Sequence, residues 1–161
     1  MTRQEITEFY REHHRRLYNT AWRILQDSDD AEEVMQDTLL KFVTRQGAPM
    51  EEAQIQAWLR RTCVRAAIDR LRERRRRDLF LETYAREEAG DPEETPVATL
   101  EVAAVQKALA QLPDPYRLVL DLVLIEGLDY EEIAGYTGKK ETTLRSLYSR
   151  GRTRLKKLLA K

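Results

Sequence analysis

The sequence predicts an all-α protein: two small helical domains joined by an acidic flexible linker. Three observations predict it. Apolar residues recur at steps of three and four almost throughout the 161 residues. Only 6 glycines and 5 prolines interrupt them, and a charged fraction of 35% suits helices with solvated faces better than a buried sheet. Between residues 78 and 99 the periodicity is lost, and Glu87-Glu88-Ala89-Gly90-Asp91-Pro92-Glu93-Glu94-Thr95-Pro96 is acidic and broken by Gly and Pro. The domains therefore run over residues 1–77 and 100–161, with the linker at 78–99.

A first helix is expected from about Thr2 to Gln26, burying Ile6, Phe9, Leu17, Tyr18, Ala21, Ile24 and Leu25. Asp27-Ser28-Asp29-Asp30 breaks it. Asp30 is expected to cap the next helix, with Glu33 three residues on completing a box. That helix runs to about Arg45 and buries Val34, Leu39 or Leu40, and Phe42. Gly47-Ala48-Pro49 makes a loop. A third helix spans about Glu52 to Arg77, with Trp58, Leu59, Val64, Ile68 and Leu71 as its apolar stripe.

The second domain is expected to open with a helix from about Val97 to Gln111. Leu112-Pro113-Asp114-Pro115 stops it, Asp114 caps the next helix, and Pro115 sits at its first position, where no amide donor is needed. Residues 116–125 are mostly apolar and should be buried. Gly127-Leu128 is a turn. Asp129 caps a short helix over Tyr130–Tyr136, with Glu132 at the box position. Gly138-Lys139-Lys140-Glu141 is a second turn, and a last helix runs from about Thr142 to Ala160.

Charge is distributed unevenly. The chain has 28 basic and 28 acidic residues, yet residues 58–77 carry nine basic and two acidic ones, and residues 142–161 carry seven basic and none acidic. Two compact basic blocks separated by acidic stretches suit two separate contacts with a polyanion.

Other function classes fare worse. No segment reaches 18 apolar residues, so no membrane span is expected. Met1–Tyr10 lacks the apolar core of a signal peptide, and the lone Cys63 excludes an internal disulfide or a multi-thiolate metal site. These features fit the cytoplasm. The only histidines, His13 and His14, are adjacent and point to different sides of a helix; no zinc spacing and no nucleophile–base pair stands out. No catalytic residue, metal or cofactor is therefore expected.

The end of the chain reads as a helix-turn-helix: two helices, a tight glycine-containing turn, and a strongly basic second helix. In that helix Leu144, Leu147 or Tyr148, Gly151, Leu155 and Leu158 share one face; Arg145, Ser149, Arg152 and Lys156 share another. The apolar face anchors the helix, and the basic face can enter a major groove, where Arg pairs with guanine O6 and N7. Residues Thr142 to Arg150 are placed to reach base edges; later basic residues suit phosphates. In the first domain, Trp58, Arg60, Arg61 and Arg65 precede the run RLRERRRR at 70–77. Arginines for phosphate with an aromatic for stacking suit a strand that is opened or held single.

These residues resemble a known family. Gly127-Leu128-Asp129-Tyr130-Glu131-Glu132-Ile133-Ala134, Thr142-Thr143-Leu144-Arg145-Ser146 and the upstream Leu112-Pro113-Asp114-Pro115-Tyr116-Arg117 resemble the fourth conserved region of extracytoplasmic-function (ECF) sigma factors of bacterial RNA polymerase. Asp30-Ala31-Glu32-Glu33-Val34-Met35-Gln36-Asp37-Thr38 and the segment Trp58–Arg72 resemble the second region. The resemblance covers nearly the whole chain, in order.

The resemblance implies a protein that binds core polymerase and directs promoter recognition, melting and transcription initiation without catalysis of its own. It implies that Asp30, Glu33, Val34, Gln36 and Asp37 dock on the clamp helices of the largest polymerase subunit. The loop Ala48–Gln54 and Trp58, Arg60, Arg61, Arg65 and Arg72 would meet the −10 element. Thr142, Thr143, Arg145, Ser146, Ser149, Arg150 and Arg152 would read the −35 element. The remaining implied partners are the flap of the second-largest subunit and, as in many relatives, an anti-sigma factor. The sequence departs from the family at Arg65, where many relatives have Asn, at Leu147-Tyr148, and at Gly151, where Ala is common. The competing reading is a stand-alone helix-turn-helix transcriptional regulator, which leaves the first domain unexplained.

Overall fold

In the computed structural model, residues 1–75 and 102–160 are described. Among them there are seven α-helices and no strand: α1 (Arg3–Leu25), α2 (Ser28–Thr44), α3 (Glu52–Arg75), α4 (Val102–Ala110), α5 (Asp114–Leu124), α6 (Tyr130–Thr137) and α7 (Glu141–Leu159). They fall into two compact units, α1–α3 and α4–α7. The all-α expectation holds. The expected linker at 78–99, the start of the helix expected from Val97, and Arg76 and Arg77 lie outside the described residues.

In the first unit each helix packs on the other two. Thr2 caps α1 in a full capping box with Glu5. The helix ends at Gln26, which takes a left-handed conformation (φ 52°). A residue with a Cβ is disfavoured there. The Gln26 side-chain amide compensates by donating to the carbonyls of Trp22 at 3.2 Å and Arg23 at 3.1 Å. The core holds Phe9, Leu17, Ala21, Ile24 and Leu25 from α1, Ala31, Val34, Met35 and Leu39 from α2, and Leu59, Cys63, Val64, Ala67, Ile68 and Leu71 from α3. Burying one such large side chain stabilises a fold by about 1.5–3 kcal/mol.

Two expectations are corrected here, and one open alternative is settled. Ile6 is exposed, because the buried stripe of α1 begins a turn later at Phe9. Leu39 is the buried member of its pair, and Leu40 is exposed. Asp27, not Asp30, caps α2: its carboxylate accepts from the Asp30 amide at 2.9 Å. Asp30 is thereby inside the first turn, and its side chain is released for α3.

In the second unit, α7 packs on α4, α5 and α6. Pro113, not Asp114, precedes α5, without a side-chain cap; the Asp114 carboxylate instead pairs with the Arg117 guanidinium one turn on. Residues Pro115 to Leu122 are all buried, whereas Leu124 at the helix end is exposed. Asp129 and Glu132 form the expected capping box on α6. Gly127 (φ 71°) and Gly138 (φ 72°) take the left-handed turns on either side of it, where a Cβ would be strained. Leu144, Leu147, Gly151 and Leu155 form the buried face of α7. At Gly151 an added Cβ would lie 3.0 Å from the Tyr116 Cβ and 3.1 Å from the Leu120 Cδ1. The glycine lets α7 approach α5 closely.

Candidate nucleic-acid interface

The capped α6, the Gly138 turn and α7 form the helix-turn-helix. At about 100° per residue, Leu144, Leu147, Gly151 and Leu155 occupy an arc of roughly 80°. Thr142, Thr143, Arg145, Ser146, Ser149, Arg150 and Arg152 spread over the opposite half of the helix. Of these, Thr142 and Arg145 are exposed, and the other five are half-buried. Burial of the apolar arc against the unit turns the polar arc outward as one surface.

Arg145 is oriented by aromatic residues that sequence reading passed over. Its guanidinium carbon lies 5.6 Å from the centre of the Tyr130 ring on α6. Tyr130 meets Tyr148 edge-on at 6.2 Å. Burial raises the Tyr130 pKa above the ordinary tyrosine value, the neighbouring Tyr148 adds to the rise, and Arg145 opposes it.

On α3 the exposed residues divide. Trp58, Arg61, Arg65 and Arg72 fall within an arc of roughly 60°, while Arg60 is about 200° from Trp58. The four arginines are exposed. Trp58 is half-buried at the end of an aromatic row: edge-on to Phe42 at 5.4 Å, with Phe42 stacked on Phe9 at 4.8 Å. The Arg45 guanidinium lies over the middle ring of that row, Phe42, 5.1 Å from its centre. Trp58 thus combines packing with partial exposure.

The basic end of α3 is tied down. Arg70 donates to Asp30 at 2.9 Å and pairs with Glu33 at 2.8 Å; Arg74 donates to Asp30 at 3.3 Å and to the Leu25 carbonyl at 2.7 Å. The hydrogen bond with Glu33 raises the Arg70 pKa against an opposing desolvation. Arg70 and Arg74 therefore serve the fold.

On α2, Val34 is buried in the core and cannot reach a partner surface. Asp30 is turned toward α3. Glu33, Gln36 and Asp37 are exposed, and Gln36 donates to Glu32 at 3.0 Å. Leu40, 59% exposed, follows them at the i,i+3,i+4,i+7 spacing and completes a mixed acidic and apolar face. Among the described residues no helix is long and apolar enough to cross a membrane.

Comparison with known proteins agrees with this geometry. Residues 9–77 match the model of sigma-70 region 2, and residues 103–155 match that of sigma-70 region 4. The chain is 35% identical over 158 residues to the ECF RNA polymerase sigma factor SigE of Mycolicibacterium smegmatis, covering 96% of this chain and 61% of that one. It is 32% identical to the ECF RNA polymerase sigma factor SigM of Mycobacterium tuberculosis, covering 98% and 78%. Its fold is similar to that of the sigma factor RpoE from Bartonella quintana, solved with the anti-sigma factor NepR, at a TM-score of 0.54, 24% identity and 98% coverage of both chains. Two regions in the right order, each carrying its own basic helix, and relatives spanning both place this chain in the family of ECF RNA polymerase sigma factors.

Proposed function

We propose that residues 1–77 and 100–161 act as two recognition domains joined through 78–99, and that together they direct core RNA polymerase to promoters. The face of α2 carrying Glu33, Gln36, Asp37 and Leu40 docks on the polymerase, with Val34 supporting it from beneath. Trp58, Arg61, Arg65 and Arg72 hold the opened −10 strand, where aromatic stacking and phosphate pairing offset the cost of unpairing. Arg60, on another side of α3, contributes to charge but not to that face. The start of α7 reads the −35 duplex through Thr142, Thr143, Arg145, Ser146, Ser149, Arg150 and Arg152. The chain performs no catalysis itself and works in the cytoplasm, where polymerase and promoters are.

The observation that carries this reading is the division of α7 into a buried arc and an outward arc bearing Arg145. Transcription in vitro with core polymerase on a library of genomic promoters tests it. Initiation that depends on this protein, at a shared −35/−10 pair, is the expected outcome. DNA binding without core-dependent initiation would instead indicate a stand-alone regulator.

A further inference from the structure

His13 is buried at 2% exposure in the middle of α1, although its ring is polar. The ring lies against Phe9, with centroids 4.7 Å apart. Its Nε2 faces two carboxylates: Glu12 Oε2 and Glu52 Oε1, each at 3.8 Å. That separation is too long for a hydrogen bond. The three ligand atoms lie within 4.8 Å of one another. Two donors on one ion, with bonds of about 2.0–2.2 Å, stand roughly 3–4.4 Å apart depending on the angle. Both histidine–carboxylate separations fall in that range, and the carboxylates, 59% and 55% exposed, can turn to close the third.

We propose that Glu12, His13 and Glu52 form a binding site for one first-row divalent transition metal of the zinc class. An imidazole with two carboxylates favours such ions over magnesium or calcium, which take oxygen ligands. Three protein ligands leave positions for water. The site joins the middle of α1 to the first turn of α3, just after the loop at residues 46–51. Bound metal would staple that turn to α1.

The test titrates the untagged 161-residue chain with Zn²⁺ by calorimetry and with Co²⁺ by visible absorbance, and follows thermal unfolding with and without Zn²⁺. Glu52→Gln removes one ligand at an exposed position that does not threaten folding. His14→Ala is the control: its Nδ1 lies 2.9 Å from the Tyr10 carbonyl and its ring stacks on Tyr10, away from the cluster. The expected result is one ion per chain and a higher unfolding temperature with Zn²⁺. Glu52→Gln should weaken binding by at least about tenfold, since even losing a group behind the ligands costs that much. His14→Ala should bind as the parent does. No saturable binding, or binding indifferent to Glu52→Gln, would overturn the site and leave His13 as an imidazole held between two carboxylates.

Discussion

The Asp30 carboxylate accepts a hydrogen bond from the Arg70 guanidinium at 2.9 Å, across forty residues of sequence. Neither side chain is more than a third exposed, at 21% and 30%. The same carboxylate also receives Arg74. Asp30→Ala should therefore destabilise the first unit by about 1–2 kcal/mol, a value discounted for solvent screening. Urea denaturation of Asp30→Ala, Arg70→Ala and the double variant would measure it. Equal additivity of the two single losses would show that the pair contributes nothing. Polymerase affinity should suffer more from Asp37→Ala than from Asp30→Ala, because Asp37 stands on the exposed face.

Gly151→Ala tests the close approach of α7 to α5. Alanine gains up to about 1 kcal/mol of helix propensity over glycine. The new methyl would press on the Tyr116 Cβ at 3.0 Å, an atom fixed to the backbone of a buried helix. Overpacking of this kind costs about 1–3 kcal/mol. The expected net effect is a loss of about 1 kcal/mol, with Gly151→Val worse, read by thermal unfolding. A rise in unfolding temperature for Gly151→Ala would show that α5 yields.

Tyr130 predicts an alkaline transition. Burial raises its pKa in the folded protein above the ordinary value near 10, so the folded state holds the phenolic proton more tightly than the unfolded one. The resulting stabilisation is complete below the ordinary value and is lost as pH rises through the higher folded one. Phenolate absorbance should show Tyr130 ionising above the ordinary tyrosine value. Tyr130→Phe should remove that component and flatten the stability loss above pH ~10.

Arg145→Ala should weaken binding to the preferred −35 duplex by about 1–3 kcal/mol, roughly 5- to 150-fold, and relax selectivity at one base pair. Lys156→Ala should weaken all sequences alike and flatten the salt dependence. Fluorescence anisotropy on a set of singly substituted duplexes separates the two. Identical profiles for both variants would place Arg145 on the phosphate backbone.

Local chemistry made much of this legible. The Asp129–Glu132 box and the Gly138 turn follow from residue types at short spacing. What stayed hidden was tertiary. Asp27 and Asp30 are equally good caps, and the choice is settled by two arginines on a helix forty residues away. Leu39 and Leu40 differ by one step of helix phase, which only the packing of α1 and α3 decides. The burial of His13 was legible in its helix phase, four residues after Phe9 and four before Leu17, although its polar residue type argued against it. Arg60 shares the composition of its basic neighbours but not their side of α3.

The Arg74 guanidinium donates to the last carbonyl of α1, that of Leu25, while it holds the first turn of α2 through Asp30. One side chain thus secures the end of one helix and the beginning of the next from a third. None of these termini can fray without releasing Arg74. The first unit should consequently open as a single cooperative block, and amides at the α1–α2 corner should exchange with solvent at the rate set by the whole unit, although chain corners are ordinarily the first places to loosen.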